Sequence, residues 1–177
     1  MIRPHAATGQ QPVLSEIEKL YSDIDKLTKH LCRIHADRIQ CRHGCSACCV
    51  DDITVYEVEA QYILSQYPDV LKTAVPHPSG ACAFLDGEGV CRIYAHRPYV
   101  CRTQGLPLRW MKELPEGKIV EMRDICPLND TGEPIVNLAP EKCWEIGPFE
   151  ERLMRLQYAA DGGEMRRIAL RALMKSP

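Results

Sequence analysis

Nine consecutive residues, Cys41-Arg42-His43-Gly44-Cys45-Ser46-Ala47-Cys48-Cys49, carry four of the chain's ten cysteines. Soft thiolates select zinc, copper(I) or iron–sulphur clusters, and a buried structural cysteine has no reason to crowd in this way. Gly44, Ser46 and Ala47 make a small-residue stretch able to double back so that several sulphurs converge. Adjacent Cys48 and Cys49 project in different directions in most backbone conformations. They therefore serve two different metals, or one of them stands beside the metal as a reactive thiol.

Four further thiols, Cys82, Cys91, Cys101 and Cys126, bring the set to eight, which is two complete four-ligand sets. Cys82 and Cys91 flank Asp86-Gly87, the dipeptide that type I′ hairpin turns favour. A two-residue loop there sets Leu85 opposite Glu88 and Cys82 opposite Cys91, aiming both thiols at one sheet face. A longer Asp-Gly-Glu-Gly loop leaves them diagonal neighbours on the same face. Cys32, beside the apolar stripe of a helix, and Cys143 are expected to be small buried hydrophobes. His43 and His96 are weaker ligand candidates, since a lone histidine is usually polar surface. Arg42, Arg92, Arg97 and Arg102 each lie within a few positions of a candidate thiol, and guanidinium donors can hydrogen-bond sulphur and offset the charge of a cluster.

The spacing alone leaves two metals in play. Structural zinc favours paired Cys-x2-4-Cys knuckles; Cys45-x2-Cys48 offers one, and no second follows. Iron–sulphur clusters accept scattered thiolates and often take a remote cysteine followed by proline, the form of Cys126-Pro127. The x3, x2 spacing is not the ferredoxin run. It is the spacing of radical-SAM enzymes, whose barrel needs about 200 residues or more of alternating strands and helices. Neither the strand count nor Gly162-Gly163-Glu164 at the far end fits that fold.

The elements that must position these thiols are short. Residues 1–11 show no period and read as a flexible lead. Ser15-Glu16-Ile17-Glu18 reads as a capping box, and Ile17, Leu20, Ile24, Leu27, Leu31 and Ile34 recur at spacings of three and four, predicting an amphipathic helix over 15–38 that packs on its own core or forms a dimer seam. Asp51-Asp52 offers an N-cap for a helix over 54–67, ended by Pro68. A second hairpin joins residues 106–111 to 119–122 through Pro115-Glu116-Gly117. Residues 127–147 read as loop. A helical segment over about 148–175 closes the chain, broken at Asp161-Gly162-Gly163. The expected fold is a small α+β domain over 12–177, with helices around short β-hairpins and a cysteine-rich core at about 40–127.

The run Cys41-x3-Cys45-x2-Cys48-Cys49, Cys82-Ala-Phe-Leu, Gly89-Val90-Cys91-Arg92-Ile93-Tyr94 and Arg97-Pro98-x2-Cys101-Arg102 resembles the YkgJ-type CxxCxxCC cysteine-cluster proteins, described as zinc- or iron-chelating. The resemblance covers about residues 40–127. It implies a bound metal centre, iron–sulphur before zinc, with Cys41, Cys45, Cys48, Cys49, Cys82, Cys91, Cys101 and Cys126 as ligands. It also gives Arg97 and Arg102, which match the motif, a role beside the cofactor. A related cluster in flagellin lysine methylases is thought to hold a [4Fe-4S] centre, but this chain is small and shows no extra cofactor-binding domain.

With 177 residues, 45% of them apolar, the chain is long enough for one core. A formal net charge of −2 shows none of the basic surplus of nucleic-acid binders. The N-terminus lacks a secretory h-region, and no apolar run approaches the roughly 18 residues of a membrane span. A cytoplasmic protein is expected, where reducing conditions favour metal binding over disulfides. The reading that follows is an iron–sulphur protein with an electron-transfer or redox accessory role and a protein or redox partner. Its rivals are a zinc-stapled protein-interaction module and a metal-dependent modifying enzyme.

Overall fold

Helix α1 (Ala7–Ile34) turns one face to the core, and that face follows the true helical period. Ile17, Leu20, Tyr21, Ile24, Thr28 and Leu31 are all 7% exposed or less, whereas Leu27 and Ile34 are 46% and 41% exposed. An α-helix drifts about 20° per heptad against a strict seven-residue repeat, so by the third turn Thr28 has replaced Leu27 on the buried side. The cost of burying the Thr28 hydroxyl is offset by its bond to the Asp25 carbonyl at 3.3 Å. The computed structural model describes residues 7–174, with side chains from residue 12 onward. The first six residues of the expected lead lie outside that range, and α1 begins at Ala7, ahead of the expected Ser15, with Pro12 inside it.

The segment read as a single helix over 54–67 divides in two. Thr54–Tyr56 form strand β1, which pairs antiparallel with β5 (Arg167–Ala169), Val55 opposite Ile168. Helix α2 (Glu57–Gln66) follows at once, so Asp51-Asp52 does not cap it. Its first turn is capped from a distance instead: the buried Gln157 side chain accepts the Val58 N–H at 3.0 Å. Pro68 ends α2 as expected and opens α3 (Pro68–Thr73).

Two apolar clusters form the interior, and α2 lies between them. Ala60 and Ile63 join Val55, Phe84, Ile93 and Leu170 in one. Val58 and Tyr62 join Ile17, Ile24, Tyr99, Trp144 and Leu153 in the other. A helix buried on both sides carries apolar residues all round rather than on one stripe.

A short helix α4 (Tyr99–Thr103) leads to the hairpin β2 (Leu108–Glu113) and β3 (Ile119–Asp124), with Trp110 opposite Met122. The turn chemistry of Pro115-Glu116-Gly117 is realised, Gly117 taking φ +74°. A two-residue strand β4 (Trp144–Glu145) adds in parallel to β2. Helix α5 (Pro148–Asp161) starts on a proline and ends at Gly162 in the left-handed region, φ 69°. The expected final helix is absent from the described residues: β5 and a single 3-10 turn (Leu170–Leu173) stand there, and their pairing with β1 overrides helix propensity. The architecture is nonetheless a small α+β domain with a long N-terminal helix. No helix among the described residues is long and apolar enough to cross a membrane.

Candidate metal centre

The loop that carries Cys41, Cys45, Cys48 and Cys49 has no regular secondary structure and is held by tight turns, the Cys45 N–H donating to Arg42 O and the Cys49 N–H to Ser46 O, each at 2.9 Å. Gly44 takes φ +80° between the first two thiols, which is the doubling back that the absence of a Cβ permits. The loop is tied directly to the second cysteine segment, because the Cys82 N–H donates to the Cys49 carbonyl at 2.9 Å. Cys82 is buried, and Cys49 and Cys91 pack on the same apolar cluster. One wall of the site therefore rests on the core.

The turn at Asp86-Gly87 differs from the two-residue hairpin. Asp86 accepts the N–H groups of Glu88 and Val90 on its carboxylate, at 2.9 and 2.8 Å, closing a longer loop. Leu85 consequently pairs with Cys91, not Glu88, and Cys82 does not stand opposite Cys91 across a sheet. The two thiols are still electrostatic neighbours, each sensed by Cys101. A carboxylate that caps two amides sets the register more strongly than the dipeptide type.

The eight thiols fall into two overlapping neighbourhoods. Cys41 lies in the field of Cys45, Cys48 and Cys126. Cys49 lies in the field of Cys48, Cys82 and Cys91, and Cys101 in that of Cys82, Cys91 and Cys48. The Cys48-Cys49 pair joins them: Cys49 donates its S–H to Cys48, which brings the Cys48 thiol down to about 6 and holds the Cys49 thiol well above its ordinary value. Burial pushes Cys101 up to about 12 and also raises Cys82 and Cys91. Cys41 still reaches solvent; the protein around it raises its pKa, against a hydrogen bond from Asn129 that lowers it. All ten cysteines are free thiols. Among the described residues, no group of three or more Cys, His, Asp or Glu stands close enough to hold a metal ion. The donor set thus fits a sulphur-seeking metal in kind and in neighbourhood, without a drawn-together coordination sphere.

Arg97 and Arg102 do different work. Arg97 lies over the Tyr94 ring at 4.0 Å and donates to the carbonyls of Tyr94 and Cys101, at 3.0 and 3.1 Å, while its charge reaches Cys32, Cys48 and Cys91. Arg102 is buried and turned away, holding Asp25 at 2.8 Å, the carbonyls of Arg97 and Ala95, and the face of Tyr21 at 4.0 Å. Arg92 reaches the Val75 carbonyl at 3.0 Å, and Arg42 is exposed. His43 is exposed, and His96 Nδ1 lies 2.9 Å from the Tyr67 hydroxyl. Cys143 is buried as expected; Cys32 is exposed, because the buried face of α1 passes through Leu31 and leaves position 32 outside.

Three supports of the site were not visible in the sequence. Asn129, fully buried, accepts the Gln40 N–H at 2.8 Å and donates to the Gly105 carbonyl at 2.7 Å and to Cys41 Sγ at 3.4 Å. Gly105 leaves room for that sulphur: a Cβ there would stand 2.7 Å from Cys41 Sγ. Arg171 joins Asp51, just past Cys49, to the carbonyls of His77, Pro78 and Ala81, just before Cys82. The only signal was Asp51-Asp52 beside the thiols, which reads equally well as a helix cap.

Residues 40–127 match the CxxCxxCC family, whose description is "Putative zinc- or iron-chelating domain". No curated protein and no solved structure matches the chain. The matched range runs from the residue before Cys41 to the residue after Cys126, so it takes in all eight thiols described above, and over those residues the chain matches the CxxCxxCC family.

Proposed function

We propose that the chain holds an iron–sulphur centre of the [4Fe-4S] type and serves electron transfer, or a redox accessory role, for a protein partner. The ligands are drawn from Cys41, Cys45, Cys48, Cys49, Cys82, Cys91, Cys101 and Cys126. The observation that carries this reading is the predominance of sulphur among the neighbouring donors. Cys41, Cys49 and Cys101 each lie in the field of three other cysteines; the carboxylate that also reaches Cys101, Glu59, is engaged with Tyr21 and Tyr99, and His96 with Tyr67. A closed structural zinc site uses four ligands, and eight thiols exceed one such site.

A bound cluster supplies one-electron chemistry at a potential set by charge and hydrogen bonds around it. The chain's own residues supply the thiolates, the short bond between backbone and backbone that holds Cys49 beside Cys82, and the Arg97 charge that offsets negative sulphur. Arg102 fixes the turn bearing Arg97 by donating to the Arg97 carbonyl at 2.8 Å. Free thiols throughout suit a reducing compartment such as the cytoplasm.

The test is anaerobic purification of the full chain followed by iron, acid-labile sulphide and zinc analysis. Iron and sulphide in equal amounts, with negligible zinc, are expected. Colourless protein carrying stoichiometric zinc and no sulphide overturns the proposal and turns the chain into a zinc-stapled interaction module.

A further inference from the structure

Past the end of α1 the chain folds back on itself, the N–H groups of Arg38 and Ile39 both donating to the His35 carbonyl at 3.0 Å. His35 and Arg38 are 5% and 7% exposed. The loop 131–142 faces them, and between the two segments lies a cavity of about 300 Å³ lined by His35, Asp37, Arg38, Thr131, Glu133 and Lys142 among others. His35 is taken up by the Lys142 carbonyl, 2.6 Å from its Nε2.

Arg38 is not taken up. Its Nη2 donates to the Glu133 carbonyl at 2.6 Å, but its Nη1 is buried without a hydrogen-bond partner. The comparison with Arg102 is direct: that guanidinium, equally buried, is matched by Asp25 at 2.8 Å, whereas none of the ion pairs among the described residues includes Arg38. A guanidinium stays charged at every accessible pH, and a buried charge needs a counter-charge or acceptor. Arg38 lines the cavity.

We propose that this cavity binds the carboxylate of a small molecule, with Arg38 Nη1 as its central donor and Thr131 and Lys142 at its rim. The class follows from the unpartnered donor and the lining charge together. Asp37 and Glu133 cancel the charge of Arg38 and Lys142 along the lining, so the single unpartnered Arg38 Nη1 is left to match one singly charged group, and the second charge of a phosphate dianion has no counterpart. The site is separate from the thiols but joined to them: Arg38 is three residues before Cys41, and the Thr131 N–H donates at 2.9 Å to the carbonyl of Asn129, whose side chain touches Cys41 Sγ. A carboxylate held there ties together the two segments that Asn129 also joins. The inference does not rest on which metal the thiols bind.

The full chain is titrated by calorimetry, at constant ionic strength, with acetate, with acetamide as the uncharged analogue of the same shape, and with inorganic phosphate. Acetate is expected to saturate with a Kd of about 1–10 mM and acetamide not to bind. Arg38→Gln is expected to weaken acetate about tenfold or more, and Lys142→Gln about threefold, by loss of charge-assisted contacts. Acetate binding no tighter than acetamide, undiminished binding by Arg38→Gln, or phosphate binding tighter than acetate each overturns the assignment. Should Arg38→Gln fail to fold, Lys142→Gln decides: unchanged acetate affinity in that variant refutes the site.

Discussion

Arg171 and Asp51 lie 120 positions apart in the chain, and the guanidinium of one closes directly on the carboxylate of the other. The same guanidinium reaches the carbonyls of His77 and Ala81 at 2.8 and 2.9 Å and that of Pro78 at 3.3 Å. One side chain, outside the segment that matches the family, thereby holds the exit of the Cys45–Cys49 loop to the approach to Cys82. Arg171→Met keeps much of the aliphatic stem and removes the fork. Both partners of the ion pair are partly exposed, so the pair itself is worth little, but three carbonyls lose a charged donor. A loss of about 1–3 kcal/mol in urea unfolding is expected, with faster amide hydrogen exchange over residues 77–82. Unchanged exchange there would show that Arg171 does not hold the segment.

Gly105 makes a sharper case, because it can be compared with a neighbouring glycine. Both Gly105 and Gly117 have positive φ, +92° and +74°, so alanine at either position costs backbone strain of about 1 kcal/mol. At Gly117 the added methyl meets nothing, while at Gly105 it meets Cys41 Sγ at 2.7 Å and Asn129 Nδ2 at 3.2 Å. Gly105→Ala is expected to lose more stability than Gly117→Ala by a further 1–3 kcal/mol or so, the usual cost of overpacking, and to lower the metal content of the purified protein. Equal Tm values for the two variants would contradict the contact.

The thiol wall was legible in the sequence because its donors are named by type and crowded by spacing; nothing else explains four cysteines in nine residues. The supports of that wall were not, because Asn129 meets Cys41 across 88 positions and Arg171 meets Asp51 across 120. Helix α1 was legible from its apolar recurrence, but its rotation was not, since a sequence seam chooses Leu27 where the three-dimensional face chooses Thr28. The β2–β3 hairpin followed its turn residues. The Asp86 turn did not follow its dipeptide, because the carboxylate capped two amides and lengthened the loop. Residues 167–173 read as helix from their composition; β1 offered them a ladder, and pairing won over propensity.

The cysteine assignment makes a graded prediction. Cys45→Ser and Cys48→Ser are expected to abolish metal loading, since hard hydroxyl is a poor substitute for thiolate toward zinc or an iron–sulphur cluster. Cys32→Ser and Cys143→Ser are expected to load fully: Cys32 is exposed on α1, and Cys143 is buried with the Arg123 guanidinium 3.7 Å away. Metal-to-protein ratios across the four variants check this, and loading that survives either Cys45→Ser or Cys48→Ser removes that residue from the ligand set.

Glu59 gives a prediction about pH that rests on a buried carboxylate. Its carboxylate is buried, and one oxygen accepts both the Tyr21 hydroxyl and the Tyr99 N–H at 2.8 Å. Burial raises its pKa above the ordinary 4.5, against those bonds, which lower it. The sign follows from linkage: the folded state holds the proton to higher pH than the unfolded chain, so this residue's contribution favours folding most below the ordinary pKa and is lost as pH rises through the folded one. Glu59→Gln keeps an acceptor oxygen for Tyr21 and Tyr99 and removes the ionisation. The stability of the variant, measured by urea unfolding from pH 4.5 to 8, is expected to fall less with rising pH than that of the natural chain. A difference between the two proteins that stays constant across that range would mean that the carboxylate ionises as freely inside the fold as outside it, and that Tyr21 and Tyr99 fully offset its burial.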